Sequence, residues 1–293
     1  MRRRLLDLGL LYCSLIWGAT FFLVKDSLAQ VDPVTLVAYR FLISAAVMLP
    51  WVVARPRPGR LLKEGLILGA LLMILYVSQT AGLKHTTASN SAFITGLFVF
   101  FVPLFLLLFL RKPPAPGQWA AVGLAVAGLW LLTGGVGGVN RGDVLTLLAA
   151  VTYAAHVLVT DLYVRRDADL VLLAFHQFWF CGVACLIMAL AAGSPLTVGT
   201  PRTWGTILFL ALFPNVIAFY VQMVAQKETP PLKVSLIFSL EPVFAALFAW
   251  TIGGEAFAVR KAAGGLLILS GMVLGEVSRL SLAKGRRQEV LPV

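Results

Sequence analysis

The chain has 293 residues, 59% hydrophobic and 13% charged, against about 25% charged in an ordinary soluble domain. Its mean hydropathy is +0.90. Thirteen acidic and twenty-four basic residues cannot clothe a water-soluble globule of this size, and the apolar content is far too high for disorder. The net charge of +11 does not point to nucleic acid, because basic residues stand in ones to fours at the ends of apolar blocks, with no extended arm.

Long uncharged runs read as membrane helices, since about 20 residues cross a hydrocarbon core of about 30 Å. Cutting at charges, prolines and glycines predicts ten spans, at 5–24, 33–54, 65–83, 87–110, 116–133, 143–163, 170–192, 203–225, 234–252 and 260–278. Arg2-Arg3-Arg4 before Leu5 resembles a signal-peptide start. The apolar run to about Val24 has no A-x-A-like cleavage site, however, so it is read as a retained first span. The second span carries Arg40 and the ninth carries Glu241. The last is the weakest, with Arg260–Lys261 at one end and Glu276 near the other. These segments are too long and too uniformly apolar for barrel strands. With the amino terminus inside, seventeen of the twenty-four Lys and Arg residues fall in inner segments and six in outer ones, Arg40 lying within a span. That bias places both termini in the cytoplasm. Cys13, Cys181 and Cys185 fall inside apolar runs and read as small buried hydrophobes rather than disulfide or metal residues.

The chain matches itself. A shift of 143 residues aligns Ile74–Gly128 without gaps at 13 identities in 55 positions, among them Gln79/Gln222, Ile94/Ile237, Leu97/Leu240 and Gly128/Gly271. Upstream, a shift of 136 aligns Trp17 with Tyr153 and Arg40 with His176. Gly134-Gly135-Val136-Gly137-Gly138 reads as an external linker between the copies. The expected organisation is a first five-helix repeat over 1–135, a second over 136–280 and a basic cytoplasmic tail over 281–293. Five is odd, so the second copy enters from the opposite side. The expected fold is an all-α integral membrane protein of ten transmembrane helices, as two inverted five-helix repeats around a central cavity. Inverted repeats make inward-open and outward-open states near mirror alternatives. Duplication kept only for packing is the alternative.

Polar groups within a bilayer usually face a bundle interior or a wet cavity. Helical spacing puts Cys13, Trp17 and Thr20 on one face of span one, and Tyr76 and Gln79 on one face of span three. In the second half the matched stripes hold Tyr153 and His156, then Asn215, Phe219 and Gln222 with Tyr220 alongside. These are the candidate substrate-binding residues. For each one, ordinary helix–helix packing or interhelical hydrogen bonding is the competing reading. Arg40 lies some eight residues from the outer end of its span. Snorkelling to the interface therefore competes with a role as partner to a substrate carboxylate or an internal acid. Glu241, before Pro242, is read either as a coupling group or as a cap for backbone freed by the proline. Pro103, Pro214 and Pro242 are expected to kink their helices and act as gating hinges. The sequence has no H-E-x-x-H, no acidic pair within one span and no phosphate-binding glycine loop. It therefore predicts neither an enzyme nor a cofactor, a metal or direct ATP use.

The chain resembles the drug/metabolite transporter superfamily in its ten-span EamA branch. The resemblance rests on Trp17-Gly18-Ala19-Thr20-Phe21, Arg40-Phe41 and the stretch Thr86-Thr87-Ala88-Ser89-Asn90-Ser91-Ala92-Phe93-Ile94. It also rests on Glu241-Pro242-Val243-Phe244 followed by Gly254-Glu255, and on the Gly123/Gly128 and Gly264/Gly271 spacings. Arg111-Lys112 departs from the pattern where the second copy has Gly254-Glu255. Span one also lacks the membrane glutamate of the four-span multidrug antiporters. Within the branch the chain is most similar to the YddG-type exporters. That implies outward movement of aromatic and other neutral amino acids across a bacterial inner membrane. It further implies a small-molecule substrate and a lipid bilayer as partners, with neither nucleic acid nor an ATPase subunit.

Overall fold

The computed structural model describes residues 2–110, 116–166, 168–229, 234 and 237–288. In chain order these form α1 (Arg2–Ser27), α2 (Pro33–Val53), α3 (Leu62–Leu83), α4 (Ala88–Gly96), α5 (Phe98–Leu110), α6 (Pro116–Thr133), α7 (Arg141–Val164) and α8 (Leu170–Ala191). There follow α9 (Pro201–Leu210), a π-helical stretch (Ala211–Ile217), α10 (Ala218–Glu228), α11 (Glu241–Thr251) and α12 (Val259–Gln288). No strand occurs among the described residues.

The starts of several helices are dictated locally. Asp32 accepts hydrogen bonds from the backbone N–H groups of Val34 and Thr35, with Pro33 already at a helical φ. Asn140 and Asp143 form a reciprocal capping box for α7, Asp169 caps α8 and Thr200 caps α9. Each cap satisfies backbone N–H groups that have no partner within the helix.

Six segments are long and apolar enough to cross a membrane: the bulk of α1, then α2, α3, α7, α8 and the continuous Pro201–Glu228 rod. Large apolar side chains such as Trp51, Leu108, Trp119, Trp130 and Ile187 stand on the outer surface, as lipid contact requires and water would not tolerate in such number. The predicted fourth span differs from expectation, because it is two helices with a break at Leu97. There the Leu97 N–H bonds back three residues to the Ile94 carbonyl, at 3.1 Å. The ninth shows the same device at the repeat-matched place. Leu240 N–H bonds to the Ile237 carbonyl at 3.1 Å, and α11 starts at the next residue.

The helices associate across the two halves of the sequence. α2 packs on α8 and α6 on α12, while α3 packs on α7 just as α10 packs on α1, and α11 packs on α1 much as α4 and α5 pack on α7. Exchanging the halves therefore maps the contacts onto themselves. The correspondence reaches single residues. A Cβ built on Gly264 would lie 2.7 Å from the Gly128 carbonyl oxygen, and one on Gly271 would lie 2.7 Å from that of Ala121, the counterpart of the first pair under the 143-residue shift. Only hydrogen at these positions lets the α6 and α12 backbones approach so closely. Gly123, by contrast, has nothing within 4 Å of such a Cβ and takes no part in the crossing.

Loops predicted to share a side touch one another. At one end Lys84 approaches Asp32 at 4.0 Å and Arg202 approaches Asp26 at 3.5 Å. At that same end Glu255 accepts from the backbone N–H groups of Ala88 and Ser89, at the start of α4. At the other end Arg55 pairs with Asp169 at 2.8 Å, and His176 Nε2 lies 2.9 Å from the Pro58 carbonyl.

Candidate functional site

The middle of the bundle holds a small cavity where α1, α3, α7, α10 and the first turn of α11 converge. It is lined by Trp17, Thr20, Tyr76, Gln79, Tyr153, His156, Phe219, Gln222 and Glu241, with Phe21, Leu72 and Leu75 beside them. Its volume is about 30 Å³, close to the share of one water in the liquid and far below the roughly 300 Å³ at which small-molecule pockets begin. The walls are aromatic and polar rather than an aliphatic seal. Trp17 meets Phe219 and Phe238 edge-on at 5.6 and 5.2 Å, and Phe98 tilts over Tyr153 at 4.3 Å. Two larger crevices, of about 340 and 350 Å³, lie outside the centre against α6 and α12. Their walls are almost wholly carbon and they adjoin the outward apolar surface. With so little polar surface to orient a solute, they are the weaker candidates.

Each polar wall residue is fixed differently. Gln79 Nε2 donates to Thr95 Oγ1 at 3.1 Å, and His156 Nε2 lies 3.0 Å from Gln177 Oε1, tying α7 to α8. Trp17 Nε1 donates to the Pro214 carbonyl at 2.9 Å. That acceptor is available because Pro214 sits within the π-helical stretch, where the regular ladder is disturbed. Ser44 Oγ donates to the Ala211 carbonyl at 3.0 Å and Tyr12 Oη to that of Phe213 at 3.3 Å. Neighbouring helices thus satisfy backbone groups of the disturbed turn, as a bilayer demands. The deformation at Pro214 is a widened turn stitched to α1 and α2, rather than the simple kink expected.

Several expectations are corrected. Arg40 does not snorkel. It is buried, its Nη2 donates to Asn215 Oδ1 at 2.6 Å, and its guanidinium lies 4.6 Å from the Tyr76 ring centroid and 5.4 Å from that of Phe41. Asn215 does not line the cavity. Its other end donates to Ser44 Oγ at 3.1 Å, so both of its polar groups hold the Arg40 cluster in place. Tyr220 points away from the cavity and is 42% exposed, because it lies one residue, and so about 100° of helix, from Phe219. Pro242 occupies the first turn of α11, where a missing N–H breaks no ladder. It begins a helix instead of bending one. Glu241 Oε2 has no hydrogen-bond partner, so that oxygen caps no freed backbone. His176, the repeat partner of Arg40, is held at the bundle end by Pro58 and by Trp179 Nε1 at 3.1 Å. α5 continues through position 103, whose side chain lies outside the described residues. Gln177 and Thr95 were missed as partners. Both are polar residues inside apolar spans, which is the signal that marked the others.

A multi-pass helical bundle whose halves exchange contacts around a central polar–aromatic cavity defines the membrane-transporter class. The EamA-like transporter family matches this chain twice, over residues 4–134 and 140–275, and the chain belongs to that family. It is 30% identical to an uncharacterized transporter of Archaeoglobus fulgidus over 94% of this chain and 86% of that protein. It is 26% identical to the uncharacterized inner membrane transporter YedA of Escherichia coli K12, over 86% of this chain and 85% of that one. A crystal structure aligns with a TM-score of 0.69 at 19% identity, covering 94% of this chain and 98% of the other, which shows the fold alone.

Proposed function

We propose that the protein exports small amphipathic metabolites, foremost aromatic and other neutral amino acids, by alternating access through the central cavity. In this reading residues 1–135 and 136–280 are inverted five-helix lobes of a ten-span bundle in a bacterial inner membrane, with both termini cytoplasmic. One observation carries it: the cavity draws Trp17, Tyr76 and Gln79 from one half and Tyr153, Phe219 and Gln222 from the other. Aromatic faces suit a flat apolar group, and the amides suit the polar end beside it. The cavity's size belongs to an occluded form that must widen on one side to admit a solute. The π-helical stretch and the breaks at Leu97 and Leu240 are interruptions where such movement concentrates. Efflux of cationic drugs is the second reading, favoured by the unpaired oxygen of Glu241.

The test is flux. Purified protein reconstituted in liposomes should move radiolabelled phenylalanine, tyrosine or tryptophan down an imposed gradient. Trp17→Ala and Gln222→Ala should cut the rate at least tenfold. Absence of flux for every amino acid in the panel, from liposomes holding folded protein, overturns this function.

A further inference from the structure

Glu241 is the one carboxyl group among the described residues lining the cavity. It is buried, at 7% exposure, and its Oε2 has no hydrogen-bond partner. It also stands in the first turn of α11, immediately after the break at Leu240. The repeat-matched residue in the first half is Phe98, so the acid breaks the symmetry of the site. The other titratable groups around it are Tyr76, Tyr153 and His156 on the cavity wall and Cys13 on α1. His156 is engaged with Gln177, and the nearby cation Arg40 is held by Asn215 against Tyr76. A second orphan opens on the same space, since Gln222 Nε2 is buried without an acceptor. A buried carboxylate oxygen lacking a donor and a buried amide nitrogen lacking an acceptor are each expensive when left alone.

We propose that this pair is a two-point recognition site for an ammonium group and an adjoining hydrogen-bond acceptor. Glu241 binds the cationic nitrogen of the substrate, and Gln222 Nε2 donates to the neighbouring oxygen. This rests on the transport reading above and narrows its substrates to molecules carrying a protonated amine; free carboxylic acids without one are rejected. The apolar remainder of the substrate lies against Trp17 and Phe219, whose rings meet edge to face at 5.6 Å.

Three probes with one ring system separate the groups: L-phenylalanine, 2-phenylethylamine, which lacks the carboxylate, and 3-phenylpropionate, which lacks the ammonium. Calorimetric titration of the purified full-length protein in detergent should rank phenylalanine first, phenylethylamine second and phenylpropionate last. A charge-assisted hydrogen bond makes the gap between the two amines and the acid about 10- to 100-fold. Glu241→Gln should erase that gap, whereas Glu241→Asp, which keeps the charge, should preserve the order. Equal binding of the three probes by the wild-type protein, or an unchanged preference in a folded Glu241→Gln variant, overturns the assignment. The wild-type ranking alone decides the matter if that variant does not fold. Amine-selective binding without flux in liposomes would leave this assignment standing and overturn transport; flux without amine preference would do the reverse.

Discussion

The tightest place in the bundle offers the sharpest stability prediction. An alanine at position 264 would put its Cβ 2.7 Å from the Gly128 carbonyl oxygen and 2.7 Å from the Leu132 backbone nitrogen, where ordinary contact begins at 3.4 Å. Both obstacles are backbone, so no rotamer change relieves them. α6 and α12 must part by about 0.7 Å along that contact, losing dispersion over the crossing. Overpacking of this kind costs about 1–3 kcal/mol. Replacing a helical glycine by alanine also stabilises the helix, by up to about 1 kcal/mol, which would blur the result taken singly. Gly123, on the partner helix α6 with open space around it, supplies the internal control. Gly123→Ala should be neutral or stabilising, and the difference between the two variants isolates the steric term at about 1–3 kcal/mol. Thermal unfolding in one detergent should therefore place Gly264→Ala below Gly123→Ala by several degrees, and Gly271→Ala, the counterpart contact, should behave like Gly264→Ala. A Gly264→Ala protein as stable as Gly123→Ala would refute the close crossing.

Other outcomes follow from contacts elsewhere. Arg40→Ala leaves the buried Asn215 oxygen without its donor and should lower stability by about 1–3 kcal/mol in the same melts. Arg40→Lys should rescue only part of this, because an ammonium lacks the planar face that lies over Tyr76. Glu255→Ala removes the side chain that accepts from the first N–H groups of α4, an N-cap contribution of about 1 kcal/mol, and hydrogen exchange at Ala88 and Ser89 should quicken while α7 is unchanged. For sidedness, single cysteines at Arg202 and Arg57 should react with an impermeant maleimide from opposite faces of the membrane. Cys13, Cys181 and Cys185 are fully buried and should add little background.

The cavity was legible because it recurs. A polar or aromatic residue inside an apolar span is costly enough to draw notice, and finding Gln79 echoed by Gln222, or Trp17 by Tyr153, points both to one interior. What failed depended on partners remote in sequence. The expectation for Arg40 rested on its distance along α2, whereas its position is fixed by Asn215, 175 residues away. Tyr220 failed because neighbours on a helix do not share a face. The break at Leu97 directly follows Gly96, but a single glycine inside an apolar run does not separate a divided helix from a continuous one, and no glycine or proline directly precedes Leu240. Pro242 was noticed but misread, since a proline two residues past a break and a proline inside a helix look alike in a linear string.

The paired interruptions bear on how the interior polarity should be weighed. α4 has 9 residues and α11 has 11, which at about 1.5 Å each gives rods of roughly 14 and 16 Å, half of what a lipid layer requires. Each rod ends partway through the hydrocarbon, and the main-chain groups of the break residue are met inside the protein: the Leu97 and Leu240 N–H groups reach the Ile94 and Ile237 carbonyls, and the Leu97 and Leu240 carbonyls accept from the Phe100 and Phe244 N–H groups. A bilayer tolerates a divided span on that condition. The two break residues thus ask for no solvent of their own, and the wetness of the chamber is left to the side chains around it.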